Sequence, residues 1–172
     1  MKKWLLLLFI FVLVGCIEKL PDFEEFTGRP LNIAVIGAAP DVRETNVVFE
    51  EFPMEDLLFI DLSEYDAVFI MKEHLEEASA AKYAEVYTSS SIPFFFIEST
   101  KGSFPFMNAE ALYSNSHERG GGLGFAAGYM PSSDPGKKPT TYSFGLYNDI
   151  KNEDTIKGTY SIIFNKIQEI VK

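Results

Sequence analysis

The sequence predicts an α/β domain, three layers deep, built on a mainly parallel sheet. Three observations carry that expectation. Residues 31–37, 66–71 and 92–97 are short, nearly unbroken apolar runs, the pattern of strands buried on both faces. A helical stretch over residues 74–89 separates the second run from the third. Residues 152–172 form an amphipathic helix with Ile156, Tyr160, Ile163, Phe164, Ile167 and Val171 on one face. Strands that alternate with helices produce a sheet covered on both sides.

In chain order, Leu31-Asn32-Ile33-Ala34-Val35-Ile36-Gly37 opens the folded region and runs into the turn Gly37-Ala38-Ala39-Pro40-Asp41. Residues 46–52 read two ways. Val47, Val48 and Phe49 favour a strand, whereas Glu50, Glu51 and Phe52 also suit a short helix. The nine residues between Gly37 and Val47 leave little room for a crossover helix, which takes a dozen or more, so a second strand is the better reading. Residues 53–58 make a helical turn led by Pro53. The helix over 74–89 places Leu75, Ala78, Ala81, Tyr83, Val86 and Tyr87 opposite Glu76, Glu77, Lys82 and Glu85, and Ser90 and Ser91 end it. Pro93 sits at the start of the 92–97 strand, where proline is tolerated, and Phe94, Phe95 and Phe96 fill it. From 101 to 141 glycine, serine and proline crowd in, and no regular period survives. Such a stretch inside a compact domain is functional, mobile or misread. Residues 142–147 alternate as a last strand. The whole resembles the flavodoxin-like outline in pattern, without any of that family's motifs.

Composition narrows the function classes. The chain carries 16 Phe and 8 Tyr, a load that disordered chains lack. Its formal charge is −10, which repels nucleic-acid phosphates and anionic lipid surfaces and argues against both as partners. Cys16 is the single cysteine, so no disulfide within the chain supports the fold, which stands on its core and hydrogen bonds.

Residues 1–16 explain that lone thiol. Lys2 and Lys3 precede eleven apolar residues, Trp4 to Val14, too few to cross a bilayer as a permanent helix. Leu13-Val14-Gly15-Cys16 follows, and a basic start, short apolar stretch and small residues mark a removable export signal. These residues resemble the lipobox of bacterial lipoprotein precursors. The resemblance implies cleavage after residue 15, a diacylglyceryl group on the Cys16 thiol, and attachment to the extracytoplasmic face of the cell membrane. Two acyl chains give stable anchoring where one does not. Loss of Lys2 and Lys3 with the leader makes the mature chain more acidic by two charges. Residues 16–30 then read as a short acidic tether and residues 31–172 as one domain.

In open α/β sheets, ligands bind beyond the carboxyl ends of the strands. That rule selects Gly37, Ala38 and Asp41 after the first strand; Lys72, Glu73 and His74 after the next; Glu98, Ser99, Thr100 and Lys101 after the phenylalanine strand; and Asn148 and Asp149 after the last. Each residue alone is better explained as a cap or turn than as a ligand-binding group. Together they supply an acid, a base and hydroxyls at one edge. Arg119-Gly120-Gly121-Gly122-Leu123-Gly124 lacks the Gly-Lys-Ser/Thr ending of a phosphate loop and reads as a flexible connection. His74 and His117 are the two histidines, with no zinc-like spacing, and no cofactor is implied. There is no Gly-x-Ser-x-Gly elbow. The sequence therefore points to a membrane-anchored, non-enzymatic domain that binds a small ligand or an envelope protein. The competing reading is a small surface hydrolase that uses His74 with Glu98 or Ser99.

The protein isolated from its native membranes should have the mass of residues 16–172 plus one diacylglyceryl group. Cys16→Ser should abolish both cleavage and membrane retention, and retention unchanged in that variant would sink the lipoprotein reading.

Overall fold

The computed structural model describes residues 22–118, 124–132, 134 and 136–171. Six strands, β1 (Leu31–Ile36), β2 (Val47–Phe52), β3 (Ala67–Ile70), β4 (Phe94–Ile97), β5 (Ala126–Met130) and β6 (Thr140–Phe144), form one sheet in the order β2-β1-β3-β4-β5-β6. The first three pairings are parallel, with Ile33 beside Phe49, Val35 beside Phe69 and Phe69 beside Phe95. The last two are antiparallel, with Phe95 opposite Gly128 and Gly128 opposite Tyr142. The architecture is α/β, as expected, and the sheet is mixed, parallel over its first three pairings and antiparallel over the last two. The antiparallel part traces to β5, which lies in the 101–141 stretch where no strand was expected. Ala126-Ala127-Gly128 has little intrinsic β preference. Packing makes it a strand: a Cβ on Gly128 would sit 3.0 Å from both the Phe95 ring and Tyr142 Cβ.

Side chains alternate between the two sheet faces, and each face has its own core. On one, Ile33, Val35, Phe69 and Phe95 meet Tyr160, Ile163, Phe164 and Ile167 of α4 (Glu153–Ile170). The Phe69 and Phe164 rings are nearly parallel at 6.3 Å, and Phe95 meets Phe69 edge-on at 5.7 Å. On the other, Ala34, Ile36, Val68, Ile70, Phe94 and Phe96 meet Leu75 and Ala78 of α1 (Leu75–Ala78), Tyr83 and Tyr87 of α2 (Ala81–Ser89), and Phe106 of α3 (Phe104–Met107). The phenylalanine triplet is thus fully buried on both faces. At α4 the expected start is met: Asn152 Oδ1 accepts from the Thr155 amide at 2.9 Å, and Thr155 Oγ1 accepts from the Asn152 amide.

The single helix expected over 74–89 is two helices. Ser79 Oγ donates to the Glu76 carbonyl at 2.7 Å and accepts the Tyr113 amide at 2.8 Å. Its hydroxyl thus competes for the backbone and ends α1, and Ala80 is extended before α2 begins. Pro53 leads a 3-10 turn over Met54–Leu58, as expected of that stretch.

The tether is also corrected over its described residues. Phe26 is 1 % exposed and packs on Phe164. Its amide donates to Glu44, Arg43 Nη1 donates to the Phe23 carbonyl at 3.1 Å, and Arg29 pairs with Asp66 at 2.7 Å. The acidic residues Asp22, Glu24 and Glu25 face solvent while Phe23 and Phe26 beside them turn inward. An acidic composition concealed two anchoring aromatics. The folded body therefore includes residues 22–30, while Cys16 lies outside the described residues. Phe26→Ala should lower the unfolding free energy by about 3–5 kcal/mol, read from urea titration. A midpoint and slope equal to wild type would restore the tether.

Candidate functional site

Because β5 alone runs against the other strands, β6 regains the direction of β1, β3 and β4. These four strands therefore deliver their carboxyl ends to one edge, and a cleft of about 490 Å³ lies there. Its centre is Glu98, the residue after β4. Glu98 Oε2 accepts from Lys72 Nζ at 3.2 Å and from Lys151 Nζ at 2.5 Å. Lys72 follows β3, and Lys151 immediately precedes the Asn152 cap of α4, so one carboxylate joins three separate elements. Glu98 also holds a left-handed backbone, φ 56°, that non-glycine residues seldom adopt. Its amide donates to the Phe125 carbonyl, which fixes the turn.

Burial pushes the Glu98 carboxyl up, but hydrogen bonds and charge from Lys151 and Lys72 outweigh it and hold the group below its ordinary range. Around it stand Glu73, Glu76, Thr100, Tyr113 and Asp149, with Leu75, Phe125 and Leu146 supplying apolar wall. Gly124 closes one side. A Cβ there would lie 2.8 Å from the Ser99 carbonyl oxygen, so only glycine permits this approach. A second hollow of about 620 Å³ continues past Glu98, Phe125 and Lys151 toward Asp41, Lys157 and Tyr160.

Of the residues selected from sequence, Lys72, Glu73, Glu98, Thr100 and Asp149 line the cleft. Asp41 borders the second hollow and pairs with Lys157 at 2.8 Å. Lys101 points elsewhere: its Nζ donates to the Tyr113 and Ser114 carbonyls and lies 4.8 Å from the Tyr113 ring centre. It holds the Tyr113 wall in place. Ser99 is 1 % exposed and donates to the Gly102 carbonyl at 3.1 Å. The His74 ring, half-buried beside Gly37, makes no hydrogen bond to Glu98 or Ser99. Ser99 is thus turned to the backbone, and His74 is not in hydrogen-bond contact with it.

Asn148 is exposed and outside the cleft lining, whereas its neighbour Asp149 lines it. Both adopt left-handed backbone, φ 48° and 57°, a conformation these side chains tolerate. Lys151, Glu76 and Tyr113 were not selected from sequence. Lys151 was within reach of the same edge rule, three residues past Asn148. Glu76 lies at the start of α1, and Tyr113 belongs to an irregular stretch, so nothing local marked either. Of the glycine-rich loop only Gly124 is described. Among the described residues no group of three or more His, Cys, Asp or Glu is placed to hold a metal ion.

With its folded value below the ordinary glutamate pKa of about 4.3, Glu98 contributes its full pairing stability above that pH. That contribution fades as pH falls through the lower folded value. Glu98→Gln should therefore be less stable than wild type at neutral pH, with the urea midpoints converging as the pH falls below the ordinary glutamate range. A gap that persists undiminished into acid would refute the pairing.

No family model, curated protein or solved structure matches this chain, so the reading of the cleft rests on its geometry alone.

Proposed function

We propose that the protein is a cell-surface lipoprotein, held by a diacylglyceryl group on Cys16, whose domain binds a small zwitterionic molecule in the carboxyl-edge cleft without transforming it. Its three-layer, flavodoxin-like outline belongs to the same reading, supported by helices over both sheet faces. One observation carries the ligand class. Two lysines share the single carboxylate of Glu98 at the floor, and Glu73, Glu76 and Asp149 stand on the walls.

A purely anionic ligand would meet more carboxylates than ammonium groups, and a purely cationic one would compete with both lysines. A molecule with both charges finds a partner for each. The aromatic and aliphatic wall of Tyr113, Phe125, Leu75 and Leu146 accommodates an apolar portion. A volume of about 490 Å³ suits a molecule of amino-acid to short-peptide size.

Calorimetric titration of the mature protein with free amino acids and dipeptides, beside their N-acetyl and ester derivatives, tests this. Binding should require both charges, and Lys151→Ala should weaken it about tenfold, which is about 1.4 kcal/mol. Equal binding of the singly charged derivatives would exclude the zwitterion.

A further inference from the structure

We propose that the groove beside Phe23 is the face that rests on the membrane, lying against an electrically neutral lipid surface. The inference rests on the reading of Cys16 as the lipid-bearing residue and goes beyond the ligand cleft. Its starting point is a length. Six residues, 17–22, separate Cys16 from Phe23. At most about 3.6 Å of span per residue gives this stretch a reach of roughly 25 Å. A body of about 150 residues is roughly 38 Å across, from a radius of gyration near 15 Å. A lipid on Cys16 therefore cannot be carried round to the far side of the domain. Whichever surface surrounds Phe23 is presented to the bilayer.

Phe23 itself is firmly seated. Its carbonyl accepts from Arg43 Nη1, and its ring meets Tyr147 edge-on at 6.0 Å. The ring also lies over Gly158, where a Cβ would come within 2.4 Å of it. The surface around this point is a groove of about 500 Å³ whose apolar wall is Phe23, Leu146, Tyr147 and Ile162. Ile162 is 50 % exposed on α4, and Tyr147 is 38 % exposed. A half-exposed tyrosine beside aliphatic side chains matches the chemistry of the headgroup boundary, where one end of a residue is apolar and the other wet.

Charge selects the kind of lipid. Asp22, Glu24 and Glu25 are all exposed next to the groove and repel anionic headgroups. Apolar contact and the short leash, rather than charge, would hold this face down, and a zwitterionic leaflet is the surface it fits.

The mature chain has no tryptophan, because Trp4 lies in the leader, and Cys16 is its only thiol. Cys16 can therefore be coupled to a maleimide-bearing lipid in phosphatidylcholine vesicles, with Ile162→Trp as a reporter in the groove. Phe59→Trp is the control: Phe59 is 83 % exposed and follows the turn that packs on the opposite sheet face. Brominated phosphatidylcholine should quench and blue-shift the indole emission of the Ile162→Trp protein and leave the control unchanged. Equal response of the two reporters, or none in either, overturns the proposal. A blue shift of the Ile162→Trp protein that grows with concentration in the absence of vesicles also overturns it, because a second copy would then cover the groove. The coupling is chemical, so this result stands apart from the anchor itself. A native protein whose mass shows no lipid on Cys16 overturns the anchor reading, and the membrane assignment with it, whatever the vesicles show.

Discussion

Glu98 is the constraint around which the carboxyl edge is organised. It stands where β4 ends and must satisfy three demands at once: a left-handed backbone, an amide bonded to Phe125, and a carboxylate shared by Lys72 and Lys151. A non-glycine residue in that backbone region carries strain of order 1–3 kcal/mol. Glycine would relieve the strain but leave two ammonium groups without their common partner. The residue present resolves the conflict in favour of charge. In doing so it ties the loop after β3 and the approach to α4 to one point. A strained residue under charge from two sides is a feature more typical of a binding edge than of a purely structural turn.

The direction of β5 has an equally wide effect. A wholly parallel sheet would need a further helical crossover before each strand to keep the same edge. Here one reversed strand returns the chain, and β6 arrives pointing with β4. The loop after β6 thereby brings Leu146, Asp149 and Lys151 to the same edge as Lys72 and Glu98. Leu146 and Asp149 also line the groove beside Phe23. The ligand cleft and the surface proposed to meet lipid share a wall, so a ligand would bind close to the bilayer rather than at the outer end of the domain.

Much of this architecture was legible in the sequence, and the failures have physical causes. β1, β3 and β4 announce themselves because both their faces are buried, which demands unbroken apolar runs. α4 shows a clean helical period because one face meets the sheet and the other meets water. β5 was invisible because its composition is dictated by neighbours, with Phe95 and Tyr142 filling the space a larger side chain would take. The break at Ser79 depends on a bond to Tyr113, distant in sequence. The edge rule found Glu98 and Lys72 but not Tyr113, whose position depends on Lys101 gripping its carbonyl. Phe23 and Phe26 were submerged in the acidic residues around them.

The hairpin between β5 and β6 has a practical consequence. Met130 ends β5 and Thr140 begins β6 at the edge of the sheet away from Glu98, because β5 starts at the cleft and leads away from it. Asp134, Gly136, Lys137 and Lys138 in this connection are exposed, and Gly136 has open space around the position of a Cβ. Exposed polar loops of this kind accept inserted sequence readily. An affinity tag, a dye-labelling peptide or a small reporter domain can be spliced there without approaching the cleft. It would also leave both the N-terminal end of the folded body and α4 untouched, giving a handle for imaging the protein.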